Sequence, residues 1–291
     1  MISMDILLGE LQFSKEIENA IRQKLNKDSK QVSIIAETAY DGEDFDFALC
    51  KRMPLTRLAV LTQLLLSKYD EYRSKGLPNK IIFDTFRDVS LRAKLYFEDK
   101  GKVGLSKDDV IWFRHIMNIA IFKIGALQFQ PFEMIYLDEA TIGEAYMVFS
   151  EKQKCLLPNG SPVINCHIQK GANLDLLFVE DSLASAVSVF SMAFPETSFR
   201  AFLCYSWLLF PPMTELLPQD SKIKQFANKF TIISTCNDSE QAWTNLFGQN
   251  PSKVILPPNA SFLQEVAFKN PEAIGFACGI IEMSKTLFNA V

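Results

Sequence analysis

The stretch INCHIQKGANLDLLFVEDSLASAVSVF (residues 164–190) decides the fold. It opens as a short apolar run of strand length and turns at Gly171. It then continues through Leu183, Val187, Phe190 and Phe194 at the three-and-four spacing of an amphipathic helix. A strand that feeds a helix through a glycine-containing loop is an ordinary α/β crossover. It is also where such proteins hold phosphate-bearing ligands, because free backbone N–H groups and the helix N-terminus both favour an anion. FRAFLCYSW (residues 199–207) then supplies a second strand. A strand, a crossover helix and a strand form a right-handed parallel unit in nearly all cases. The spacing therefore predicts that residues 163–168 and 201–205 are parallel neighbours. His167 ends the first strand, and because side chains alternate, Cys166 and His167 face opposite ways and form no thiol and imidazole dyad.

Upstream, as far as about Phe122, the period is helical. Leu58, Leu61, Leu65, Tyr69 and Tyr72 form one stripe, and Ile82, Phe86, Val89, Ala93 and Tyr96 form another after Pro78. Ser14 precedes a third helix. Ser106 with Asp109 makes a capping-box pair for a fourth, whose stripe reads through Trp112, Ile116, Ile119 and Phe122. After Gly125 the period shortens. ALQFQPFEMIYL, AYMVFSEKQKCLLPNGSPVINCHI, FTIIST and KVILPP read as strands, with Asn159-Gly160 as a hairpin turn. DSKIKQFANKF and SEQAWTNLFG read as helices between them. The expectation is an N-terminal all-α domain over residues 1–124 and a mixed-sheet α/β domain over residues 125–291.

Composition removes several function classes. A formal net charge of −4 lacks the Lys/Arg field that a sequence-independent grip on nucleic acid needs. The apolar runs RLAVLTQLLL, IMNIAIFKIGAL and AFLCYSWLLFPP are too short, or broken by Arg or Lys, to cross a bilayer. MISMDILLGELQ carries Asp5 and no basic region, unlike a signal peptide, so a cytoplasmic location is expected. The cysteines are scattered singly and read as reduced, mostly buried thiols. There is no GxSxG elbow, P-loop, GxGxxG, HExxH or CxxC, and two histidines are few for a zinc or iron enzyme, so no metal is expected.

The segments IFDTFRDV, GLSKDDVIWFRH, IGALQFQPFEM, CHIQKGANLD, DSLASAVSVFSMAFP, CYSWLLFPPMTELLP and DSKIKQFANKF resemble those of two-domain acyltransferase-like proteins, in which a helical N-terminal domain precedes a GNAT-like C-terminal domain. Matching positions include Asp84, Asp88, Trp112, Gly125, Gln128, His167, Gly171, Ser182, Ser206, Trp207 and Ser221. The resemblance implies a GNAT-like fold and transfer of an acyl group from an acyl-CoA co-substrate to a small amine. It also implies that the crossover loop, here Gln169, Lys170 and Gly171, lies near the CoA pyrophosphate. That loop has one glycine, two residues after Gln169, where the GNAT pattern has Arg/Gln-x-x-Gly-x-Gly/Ala. GNAT enzymes hold the acyl thioester where two parallel strands splay, which here places His167 and the strand-end residues Tyr205 and Ser206 near it. A non-catalytic GNAT-like scaffold that binds a small molecule or a protein in an interdomain cleft is the alternative.

Other polar residues read as structural. His115 lies on an apolar stripe, and Asp84 and Asp88, with Arg87 and Arg92, sit at helical spacing as a hydrogen-bond network at a domain interface. Glu43, Asp44 and Asp46 form a solvated acidic loop without EF-hand spacing.

Overall fold

The computed structural model describes residues 2–43, 45–248 and 254–283 of the chain. Asp44 and Lys253, each within a segment read above, lie outside the described residues. The chain divides into two compact units, Met1–Ile124 and Gly125–Val291.

The first unit is built from α1 (Met4–Leu11), α2 (Lys15–Lys27), α3 (Ser29–Glu37), α4 (Pro54–Ser74), α5 (Asn79–Lys100) and α6 (Lys107–Met117), with a short strand β1 (Phe122–Ile124) at its end. Serine side chains start α1, α2 and α6 by accepting backbone N–H groups, and at α6 Ser106 and Asp109 complete the capping box. The stripe expected on α4 is buried and packs on α5, where Tyr72 meets Phe86 edge-on at 5.2 Å. The stripe on α6 ends earlier than expected. Ile119 takes a left-handed φ of 52°, which stops the helix at Met117 and leaves Phe122 in β1.

Asp84 and Asp88 belong to separate networks inside this unit. Arg87 donates to Asp84 at 2.6 Å and to Glu10 at 2.9 Å, tying α5 to α1. Asp88 is buried and accepts the Trp112 indole N–H at 2.8 Å. Arg92 lies 3.4 Å from Asp88 and 3.1 Å from Asp109, which joins α5 to α6. His115 packs against Trp112, and burial together with Arg114 lowers its pKa to about 4.

The second unit contains β2 (Leu127–Glu133), α7 (Glu139–Ile142), α8 (Glu151–Leu156), β3 (Pro162–His167), α9 (Leu176–Ala193), β4 (Ala201–Ser206), α10 (Pro211–Glu215), α11 (Lys222–Ala227), β5 (Thr231–Cys236), α12 (Glu240–Phe247), α13 (Phe262–Lys269) and β6 (Phe276–Glu282). Its strands run in the order β2-β3-β4-β6-β5, with only β3 and β4 parallel. By length and composition α9 is apolar enough to cross a membrane. Here it packs on β2 with Val179, Ala186 and Phe190 buried, as a core helix does.

In the second unit, other expectations differ from the structure. The Asn159-Gly160 turn joins a helix to a strand instead of two strands, because Ser150 and Gln153 form a capping box that starts α8 where the apolar run suggested a strand. Residues 254–258 are irregular. Strand β6 was not anticipated. Its Ala277-Cys278-Gly279 centre has weak strand propensity, yet Gly279 is required there, since a Cβ would meet Leu209 and Phe230.

Gly125 opens the second unit at φ +60°, and a Cβ on it would run into Ser182 of α9. Ser182 is fully buried, and its hydroxyl accepts the Ala126 N–H at 2.7 Å. Gly125→Ala therefore adds left-handed strain of about 1–2 kcal/mol to a displaced hydrogen bond worth about 1 kcal/mol. Ser182→Ala loses only the second. Urea unfolding should show the glycine variant less stable by about 2–3 kcal/mol, and the serine variant by about 1 kcal/mol.

Candidate active site

β3 and β4 register Ile164 opposite Phe202 and Asn165 opposite Leu203. That ladder ends short of the strand ends at His167 and Ser206. The flanking antiparallel ladders continue to them, pairing His167 with Gln128 and Ser206 with Ala277. A parallel pair that releases before its strands finish opens the sheet at their carboxyl ends, the position at which open α/β sheets receive ligands.

Alternation sorts the candidate residues. Asn165 and Leu203 share a face, so His167 and Tyr205 share it too, with Gln128 and Gln130 of β2 opposite His167 and Asn165. His167 Nε2 lies 2.9 Å from Gln130 Oε1. Tyr205 donates its hydroxyl to the Ile135 carbonyl at 2.7 Å and stacks on Phe276. Burial, helped by Cys278, raises the Tyr205 pKa far above the ordinary phenol value and keeps it protonated.

Ser206 is on the opposite face. It is 5% exposed, and its hydroxyl accepts the Leu208 N–H at 3.2 Å, which caps the turn Trp207–Leu209. The expectation that Ser206 lies with His167 and Tyr205 near the thioester is corrected: one step along a strand reverses the side chain. Cys166 and Cys204 share that opposite face. The Cys204 thiol is held protonated by its contact with Cys166 and by burial, which marks it as packing.

The crossover loop has a mixed character. Gln169 is half-buried, while Lys170 and Gly171 are exposed. The Ala172 N–H closes a turn onto the Gln169 carbonyl at 3.0 Å. Gly171 has φ +79° with open space where a Cβ would stand, so its role is to permit the turn. The N-terminus of α9, expected to receive an anion, already holds one. The Asp175 carboxylate accepts the Leu177 N–H at 3.3 Å and lies 3.5 Å from Lys222. Lys222 thus brings a cation to this rim, Lys170 is exposed in the loop before it, and Leu177 and Phe178 expose apolar surface on the first turn of α9.

A cavity of about 520 Å³ lies at the other end of the sheet, lined by Tyr136, Leu157, Arg200, Thr231, Ile280 and Glu282 among others. None of the residues singled out as chemical lines it. Among the described residues, no group of three or more His, Cys, Asp or Glu side chains is placed to hold a metal ion.

Sequence reasoning overlooked Gln130 and Lys222, and named Gln128 only as a position that carries the resemblance. The glutamines had a legible signal, since two amides flanking Phe129 in LQFQPFE put polar groups on one face of a strand. They are 1% and 8% exposed, and a buried amide is retained where it is hydrogen-bonded.

Comparison with known proteins adds a family to this geometry. The N-acyltransferase N-terminal domain model matches residues 7–119, and the GNAT-like C-terminal domain model matches residues 121–281. Among solved structures, the chain is similar to an acyltransferase in complex with decanoyl-CoA and teicoplanin, at 16% identity and a TM-score of 0.69, covering 96% of this chain and 87% of that one. An acyltransferase in complex with decanoyl-CoA alone is similar at 18% identity and a TM-score of 0.68, over the same shares of the two chains. At such identities the likeness shows the fold. No curated protein matches the sequence. The chain belongs to the family that joins an N-acyltransferase N-terminal domain to a GNAT-like C-terminal domain.

Proposed function

We propose that the protein transfers an acyl group from an acyl-CoA to a small amine or a similar nucleophile, at the carboxyl ends of β3 and β4. The observation that carries this reading is the early end of the β3–β4 ladder, with His167 and Tyr205 brought to one face there. Family membership supports it, as do fold relatives crystallised with acyl-CoA.

In this reading the amine nitrogen attacks the thioester carbonyl, forming a C–N bond as the C–S bond breaks. His167 accepts the proton that the amine sheds and returns it to the departing CoA thiolate. Tyr205 is a poor acid for that second step, because burial holds its proton tightly and the proton is already donated to the Ile135 carbonyl. Its role is to fix the segment that follows β2 against the site. Gln169, Lys170 and Gly171, joined by Lys222, supply the polar and cationic rim for the CoA phosphates. Their attraction is tempered by Asp175 at the start of α9.

A second reading, a ligand-binding scaffold without transfer, is favoured by that same Asp175 and by the burial of Ser206. Thermal shift with CoA, acetyl-CoA and octanoyl-CoA tests the CoA site on which transfer depends. A ligand at 100 times its Kd stabilises the native state by about 2.7 kcal/mol. A rise in melting temperature larger for octanoyl-CoA than for CoA is expected, and no rise with any of them at millimolar concentration would sink the proposal.

A further inference from the structure

We propose that the cavity of about 520 Å³ at the amino end of β4 is a second ligand site, built for a zwitterion with an apolar side chain, the chemistry of a hydrophobic α-amino acid. The volume is that of an ordinary small-molecule pocket. The proposal goes beyond acyl transfer and does not depend on it.

Register and alternation lay out one wall. Ala201 of β4 pairs with Glu282 of β6, and Ile280 stands two residues before Glu282, so the three side chains share a face of the sheet and line the cavity. The buried side chains of Tyr136 and Leu157 add apolar lining. Two charges stand against this surface. Arg200 donates to the Leu156 carbonyl at 2.8 Å and to Ser161 Oγ at 3.3 Å. Both acceptors are neutral, so the guanidinium is oriented while its charge is left uncompensated. It has five N–H donors, and those two bonds leave it able to receive a carboxylate. Among the described residues the Glu282 carboxylate has neither a hydrogen bond nor an ion pair, and it does not pair with Arg200. The two backbones are nonetheless adjacent, since the Met283 N–H donates to the Arg200 carbonyl at 3.0 Å. An oriented cation and an unmatched anion beside one apolar cavity fit a ligand that carries both charges next to an apolar group. A fatty acid would set its carboxylate against Glu282, and a simple amine would set its ammonium against Arg200.

The site is separate from the proposed thioester position. Ala201 and Tyr205 are about 13 Å apart along β4 at the rise of a strand. Leu203 and Cys278, both fully buried, fill the same face of the sheet between them. A ligand in the cavity therefore meets neither the acyl group nor the attacking amine.

Isothermal titration of the full chain with L-phenylalanine, 3-phenylpropanoate and 2-phenylethylamine tests the assignment, because the last two each lack one of the charges. Phenylalanine should bind with a Kd of about 1 mM or tighter, a modest figure for a ligand of its size. Each analogue should bind at least about tenfold more weakly, the effect of losing one charge-assisted hydrogen bond. Glu282→Gln should weaken phenylalanine by about the same factor and strengthen 3-phenylpropanoate, whose carboxylate no longer faces a like charge. Arg200→Gln should weaken both phenylalanine and 3-phenylpropanoate. If that variant does not fold, Glu282→Gln and the three ligands decide. Saturating octanoyl-CoA should leave the phenylalanine affinity unchanged. No binding of phenylalanine at about 10 mM, ten times the expected Kd, would overturn the proposal. So would equal affinity for all three ligands, an unchanged preference in Glu282→Gln, or displacement of phenylalanine by octanoyl-CoA.

Discussion

Replacing His167 with alanine should lower acyl transfer by a factor of about 10²–10⁴, the span of a positioned general base, while octanoyl-CoA affinity stays close to that of the wild type. The change removes the only imidazole on the polar face formed by β2, β3 and β4, and the second histidine lies in the other unit, within α6. It also removes one hydrogen-bond partner of Gln130, a loss of about 1 kcal/mol. Some loss of melting temperature therefore accompanies the kinetic effect without explaining it. Ser206→Ala is the internal control. Its hydroxyl caps a turn on the opposite face, so the variant should lose stability by about 1 kcal/mol and keep its transfer rate. CoA release across a panel of amines, measured beside the melting temperatures, separates the outcomes. A His167→Ala protein that melts early yet transfers at the wild-type rate would remove the base from the account.

The second large effect lies in the helical unit. Asp88→Ala should destabilise the protein by about 3 kcal/mol, near the lower end for breaking a buried ion pair. The change removes the buried carboxylate that accepts the Trp112 indole N–H and one of the two carboxylates beside the Arg92 guanidinium. The lower end applies because Arg92 is about a third exposed and can recover some hydration. Asp84, four residues earlier, makes the comparison. Its partners Lys80 and Arg87 reach water, so Asp84→Ala should cost at most about 1 kcal/mol. Denaturant unfolding of the two variants checks this, and equal losses would contradict the distinction drawn between the two networks.

Much of this architecture was legible from the chain. The crossover from β3 through α9 to β4 announced itself by a change of period at Gly171, and the resulting strands are parallel neighbours. The helical stripes of α4 and α5 could be read because apolar spacing is dictated by burial. What escaped were elements whose signal is carried by neighbours. β6 has a centre of small residues that Leu209 and Phe230 demand from across the packing, and no local propensity records that. α8 was hidden by an apolar run, although Ser150 and Gln153 spelled out its start. At the candidate site, the register of β3 on β4 and the alternation of side chains put His167 and Tyr205 on one face. Ser206 was misplaced because adjacency in sequence was read as adjacency in space. Gln130 needed the antiparallel register of β2 on β3 to be recognised, and that pairing has no local signature.

The site itself is tested most directly by hydrogen–deuterium exchange with and without octanoyl-CoA. The account predicts protection of the amides in residues 168–178, the crossover loop and the first turn of α9, and of the strand ends at His167 and Tyr205. Protection absent there and centred instead on Arg200, Thr231 and Glu282, around the cavity at the opposite end of the sheet, would contradict it.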